Sequence, residues 1–109
     1  RDRLRSRGLG DVYKRQSGNS MVPKINNGDR ILVEPYMGKA LKPGNIIVYR
    51  KFSDHLTVHR VTNIVRLSKS RFYCETKGDN NIEADSYKVF NHEIIGTVNL
   101  EGVNKNEHD

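Results

Sequence analysis

The chain has 109 residues, enough for one domain with a modest hydrophobic core and too few for two. Hydrophobic residues make up 35% of it, and no apolar run approaches the roughly 20 residues that a membrane-spanning helix needs. The net charge is +6, but residues 1–16 contribute +4 of it, which leaves an ordinary +2 on the remainder. This distribution argues against the basic surface that is typical of nucleic-acid-binding domains.

Residues 1–16, RDRLRSRGLGDVYKRQ, have no hydrophobic period and contain a Gly-Leu-Gly break. One interpretation is a basic, disordered arm. A second comes from reverse translation, because residues 11–16 can be encoded by GAT GTG TAT AAG AGA CAG, which resembles the transposon end used as an adapter in sequencing libraries. We favour the second interpretation and predict that residues 1–16 are a non-native, disordered segment.

After residue 16 the chain consists of short strand-like runs separated by turn residues. Strands are predicted at residues 30–34, 45–51, 56–67, 71–77 and 93–99. Only the region around Ser20 and residues 83–90 are candidates for helix, and residues 100–109 are expected to form a polar, frayed tail. This spacing favours a mainly β fold, a small twisted antiparallel β-barrel or sheet with little helix.

Single residues carry little functional information here. Ser20 alone is typical of a turn or a helix cap, and His59 alone of a partly buried, hydrogen-bonded histidine. Asp79 and Asp85 alone are typical of a turn and of solvated surface. Cys74, the one cysteine, is expected to be a buried apolar residue, with no disulfide and no metal-ligand spacing around it.

The order of several motifs is more specific than any one of them. The set comprises Ser20-Met21-Val22-Pro23, Gly28-Asp29-Arg30, Val58-His59-Arg60-Val61, Thr76-Lys77-Gly78-Asp79-Asn80-Asn81 and Asp85. It resembles the type I signal peptidase family over residues 17–99, the predicted catalytic domain. The nearer match is the endoplasmic-reticulum, archaeal and sporulation-type branch, whose members use Ser-His-Asp rather than Ser-Lys.

The resemblance implies a role for each motif. Ser20 would be the nucleophile and His59 the general base. Asp85 would orient the imidazole, and Asp79 would support the site, although either aspartate could fill the orienting role. Arg60, beside His59, cannot act as a base because its guanidinium does not deprotonate, which disfavours a lysine-type mechanism.

The oxyanion hole is less well defined by the motifs. The Ser20 backbone N–H is the expected first donor, and Ser17 or Gly18 is the candidate for the second. Many relatives carry a serine at the position that Gly18 occupies here. No metal or cofactor is expected.

The function implied is that of a serine endopeptidase that removes signal peptides from secretory pre-proteins with small residues before the cut, bound by strand addition. The chain would act at a membrane, through an N-terminal anchor missing from this sequence, with its site on the extracytoplasmic or lumenal face. Subunits of a signal peptidase complex are further expected partners, and nucleic acid is not. The alternatives are a self-cleaving repressor-type peptidase and a non-catalytic subunit on the same fold.

Overall fold

The computed structural model describes residues 12–36, 40–52 and 55–104 of the chain. They form one antiparallel sheet of seven strands, curled into a half-barrel, with strand order β1-β2-β7-β3-β4-β5-β6. The strands are β1 Val12–Arg15, β2 Arg30–Pro35, β3 Ile46–Arg50, β4 Leu56–Arg66, β5 Phe72–Lys77, β6 Val89–Phe90 and β7 Ile94–Asn104, with a short 3-10 helix at Asn91–Glu93. The mainly β prediction is confirmed. The described residues contain no helix of the length and apolar character that crossing a membrane requires.

The sheet buries side chains on both of its faces. β3 shows this most clearly, because its successive residues point to opposite sides. Ile46 and Val48 join one apolar cluster, which also contains Met21 and Val58. We call this the Met21 cluster. The second cluster, on the opposite face, contains Ile47, Tyr49, Val61, Phe72, Cys74, Val89 and Ile94, and we call it the histidine-side cluster.

Two predictions about the ends of the chain differ from the structure. Residues 12–15 form β1, which pairs with β2 from Val12↔Val33 to Arg15↔Arg30, whereas disorder was expected throughout residues 1–16. Main-chain hydrogen bonding to the free edge of β2 needs no apolar pattern, which explains why the sequence did not predict this strand. β7 continues to Asn104, so the frayed tail was predicted too early. Residues 1–11 and 105–109 lie outside the described part, and the origin of residues 1–16 stays a prediction.

β4 is the strand that positions the candidate site. It pairs with β3 through Ile47↔His59 and with β5 through Arg60↔Lys77. Because adjacent strand residues point to opposite faces, His59 and Arg60 present their side chains on the two sides of the sheet. The two regions that were candidates for helix are not helical: residues 20–24 form turns, and residues 89–90 belong to a strand.

Candidate active site

The imidazole of His59 and the carboxylate of Asp85 form the shortest polar contact of the site. His59 Nδ1 lies 2.6 Å from Asp85 Oδ2, and the two side chains are only 10% and 12% exposed. A charge-assisted hydrogen bond of this length is strong. The residues are 26 positions apart in the sequence, and the loop after β5 brings Asp85 back to β4.

Three hydroxyl groups surround this pair on the histidine-side face. Thr76 Oγ1 donates to Asp85 Oδ2 at 2.7 Å. The Tyr49 hydroxyl lies 3.4 Å from both Asp85 Oδ2 and His59 Nδ1, and 2.7 Å from the Tyr87 hydroxyl. Burial, followed by the hydrogen bond with Tyr87, raises the pKa of Tyr49, and burial also raises the pKa of Tyr87. Both phenols therefore stay neutral near pH 7 and can donate hydrogen bonds.

Asp79 binds Arg60, on the side of β4 opposite to the His59–Asp85 contact. Its two carboxylate oxygens accept from Arg60 Nε at 2.9 Å and from Arg60 Nη2 at 2.7 Å. The hydrogen bond from Arg60 lowers the pKa of Asp79, and the same bond raises that of Arg60. Arg60 also donates to the Gly44 carbonyl at 2.7 Å. Two neighbouring residues of β4 thus bind the two aspartates of one loop.

Ser20 lies in the turn at residues 20–24. The next residue, Met21, is completely buried in the Met21 cluster and fixes the turn to the sheet. The Ser20 carbonyl accepts from the Asn80 N–H at 2.7 Å, and the Asn80 side chain donates to the Asn19 carbonyl at 3.0 Å. The Asp79 N–H also points to Met21 Sδ at 3.3 Å. The serine turn is therefore attached to the loop that carries both aspartates.

Gly78 allows this attachment. A Cβ at this position would lie 2.9 Å from the Ser20 carbonyl oxygen and 2.7 Å from Asn81 Nδ2. Contacts below 3.0 Å are essentially never made by real Cβ atoms, so only glycine lets the two segments approach this closely.

The candidate oxyanion donors differ in their availability. The Gly18 N–H donates to Asn27 Oδ1 at 2.8 Å and is occupied. Ser17 is exposed. Within the described residues, no hydrogen bond uses the Ser20 N–H, which leaves that group available to a substrate. This geometry disfavours Gly18 as the second donor.

The structure thus brings His59 and Asp85 into direct contact and attaches the Ser20 backbone to the same loop. Across the described part of the chain, no hydrogen bond joins the Ser20 hydroxyl to His59. Such bonds are often long in an unliganded site and tighten when substrate binds. The roles of Ser20, His59, Asp79 and Asp85 stay predictions. The described residues also contain no group of three or more His, Cys, Asp or Glu side chains that could hold a metal ion.

Sequence reasoning missed Tyr49, Thr76 and Tyr87. Tyr49 ends the apolar run of β3, and Thr76 ends the buried row that begins with Phe72 and Cys74. The sequence offered one indication of such residues, namely a hydroxyl group at a position where the strand alternation predicts an apolar side chain. It did not indicate which residue the hydroxyl would bind.

Comparison with known proteins places the chain in a peptidase family. A family model described as peptidase S24-like matches residues 4–99, and the chain belongs to that family. Signal peptidase I W of Bacillus subtilis (strain 168) is 33% identical over 82 residues, which are 74% of this chain and 43% of that protein. The chain thus spans less than half the length of this relative. The predicted resemblance to the type I signal peptidases is confirmed, whereas assignment to the Ser-His-Asp branch stays a prediction.

Proposed function

We propose that the chain is the catalytic domain of a serine endopeptidase that removes N-terminal signal peptides from secretory pre-proteins. The observation that carries the proposal is the buried 2.6 Å contact between His59 and Asp85, together with the loop of Asp85, whose Asn80 N–H binds the Ser20 carbonyl. The similarity to a signal peptidase I supports the choice of substrate. Small residues before the cut would enter the site in an extended segment, added as a strand.

The contact with Asp85 determines which imidazole nitrogen is the base. Since a carboxylate accepts but does not donate, His59 Nδ1 carries the proton and Nε2 of the neutral ring is unprotonated. Nε2 then takes the proton of the Ser20 hydroxyl as its oxygen attacks the scissile carbonyl. The negative charge on Asp85 stabilises the imidazolium that forms.

The remaining steps follow from the same groups. The negative oxygen of the tetrahedral intermediate accepts a hydrogen bond from the Ser20 N–H. Within the described residues this N–H has no other partner, so no existing hydrogen bond must break. His59 Nε2–H protonates the leaving amine, and the carbon–nitrogen bond breaks. Water then attacks the acyl-serine while His59 accepts its proton. The bond between the acyl carbon and Ser20 Oγ breaks, His59 returns the proton to Oγ, and the carboxylic acid product leaves.

The setting of the reaction is part of the proposal. The substrates enter a membrane during export, so the domain would act at the membrane surface, on the extracytoplasmic or lumenal face. Further subunits of a signal peptidase complex would be its partners there.

The test is cleavage of a synthetic pre-protein segment with alanine at the first and third positions before the cut. We expect that Ser20→Ala and His59→Ala each abolish cleavage by the chain in detergent micelles. Ser68→Ala and His55→Ala, which change exposed residues away from the site, are matched controls and should cleave like the unaltered chain. Cleavage that survives in Ser20→Ala would exclude the mechanism. A chain that cleaves nothing, in micelles or joined to a membrane helix, would favour the non-catalytic alternative.

A further inference from the structure

Thr76 is a polar residue in an otherwise apolar row. Phe72, Cys74 and Thr76 alternate along β5 and are all buried, and Thr76 is completely so. A buried hydroxyl costs free energy unless it forms a hydrogen bond. The bond that satisfies Thr76 goes to Asp85, so this hydroxyl serves the candidate site and not the packing of the core.

Two hydrogen bonds connect Thr76 with Asp85. The Asp85 N–H donates to the Thr76 carbonyl at 2.9 Å, and the Thr76 hydroxyl donates to the Asp85 carboxylate at 2.7 Å. The first bond places the backbone of Asp85, which lies outside regular secondary structure. The second determines the direction of its side chain. Thr76, a strand residue, therefore orients both the backbone and the side chain of Asp85, a loop residue.

Tyr49 contacts the pair from β3. Its hydroxyl is 3.4 Å from Asp85 Oδ2 and is also hydrogen-bonded to Tyr87 at 2.7 Å. A contact of 3.4 Å is long for an O–H donor, so the bond from Thr76 is the stronger of the two. Asp85 Oδ2 thus has donors from β3, from β5 and from His59 on β4.

We propose that Thr76, assisted by Tyr49, is a positioning residue that holds the Asp85 carboxylate against His59 Nδ1. The inference deepens the proposed function and rests on it. Asp85 is 12% exposed, so without the Thr76 hydroxyl its carboxylate can turn toward water. His59 would then lose the negative charge that stabilises its protonated form, and Nε2 would lose its fixed orientation.

The first experiment observes the His59–Asp85 contact directly by NMR of the chain labelled with isotopes at histidine. The His59 Nδ1–H resonance reports this contact, because a short hydrogen bond to a carboxylate moves it downfield. Thr76→Val keeps the volume but removes the hydroxyl, and should move this resonance upfield and weaken it. Thr76→Ser, the matched control, keeps a hydroxyl and should retain the downfield resonance.

Two further variants are measured in the same way. Asp85→Asn defines the Nδ1–H resonance in the absence of the carboxylate, and Thr76→Val should fall between it and the unaltered chain. Tyr49→Phe should move the resonance in the same direction but less, which provides a second measurement if Thr76→Val does not fold. An Nδ1–H resonance in folded Thr76→Val that matches that of the unaltered chain would overturn the inference.

The second experiment is steady-state cleavage of the pre-protein segment. A positioning role predicts that Thr76→Val lowers kcat on the order of tenfold and leaves KM nearly unchanged, with recovery in Thr76→Ser. Loss of cleavage through KM alone would contradict it. If the NMR results hold but no variant and no unaltered chain cleaves the segment, the proposed function fails and the positioning of Asp85 stands.

Discussion

Arg60 and Asp79 face each other through two parallel hydrogen bonds on the side of β4 opposite to His59 and Asp85. The planar guanidinium matches the carboxylate, so this pair fixes the aspartate-bearing loop with a defined geometry. Since the same loop holds the Ser20 turn through Asn80, the pair indirectly determines where the serine lies. Arg60, which cannot be a base, has a structural part in the site instead.

The Arg60–Asp79 pair should make folding stability depend on pH. The folded-state pKa of Asp79 is below its unfolded value, chiefly through the bond from Arg60. Its contribution is therefore complete above the unfolded pKa of about 3.9 and is lost as pH falls through the lower folded pKa. We expect Asp79→Asn to cost about 1–2 kcal/mol at pH 7, and the cost should shrink toward pH 2.

Urea unfolding of both chains between pH 2 and pH 7 measures this difference. Glu83→Gln changes an exposed carboxylate outside this pair and is the matched control, for which we expect no such pH-dependent difference. An Asp79→Asn penalty that stays constant down to pH 2 would show that the carboxylate charge is not what stabilises the loop.

The two aspartates should differ sharply in their effect on cleavage. Asp85→Asn removes the charge at His59 and changes the hydrogen-bonding character at Nδ1, so we expect a loss of kcat of roughly 10³–10⁴-fold. Asp79→Asn leaves the His59 contact in place and should lose about tenfold through a looser Ser20 turn. Comparing kcat for the two folded variants checks the assignment. If Asp79→Asn were the more damaging change, the orienting role would belong to Asp79.

The strands of this fold are largely predictable because their side chains alternate over two buried faces. The predicted strand at residues 56–67 matches β4, and that at 71–77 matches β5, to within one residue at each end. β1 was not predicted because backbone pairing with β2 stabilises it, and this pairing needs no apolar pattern in the sequence. The end of β7 was misplaced because residues 100–104 were assigned to a polar tail, whereas β7 still pairs with β2 there through Arg30↔Asn104.

The candidate site was only partly accessible from sequence. The motif resemblance indicated His59 and Asp85, but spacing alone could not predict their contact, which depends on the register of β4 against β5 and on the path of the following loop. Spacing also could not show that Asp79 would bind Arg60, which the sequence analysis had considered only as a possible base and excluded. Thr76 was read as part of a motif, and its burial against Asp85 is a property of the folded sheet.

Replacing Gly78 should damage the site more than the fold. A Cβ at Gly78 would push against the Ser20 carbonyl oxygen, so Gly78→Ala should displace the serine turn and reduce kcat by tenfold or more. Gly96→Ala is the matched control, because its Cβ would lie 2.5 Å from a backbone oxygen, that of Glu34, in the pairing of β2 with β7 and away from Ser20.

We expect both glycine variants to lose stability, but only Gly78→Ala to lose activity per folded molecule. Melting curves give the folded fraction, and cleavage rates are divided by it. Equal specific activity in the two variants would mean that the close approach of Gly78 to Ser20 is not needed for cleavage.

Cys74 should react only when β5 opens. The thiol is completely buried in the histidine-side cluster, and burial raises its pKa to about 11. At pH 8 roughly one thiol in a thousand is then ionised, and the thiolate is the reactive form. We expect native Cys74 to be labelled by iodoacetamide at least about 100-fold more slowly than in urea. The double variant Cys74→Ala, Ser68→Cys carries an exposed thiol and should react fast in both conditions. Fast labelling of native Cys74 would mean that β5 opens readily, and a strand that opens readily could not hold Thr76 against Asp85.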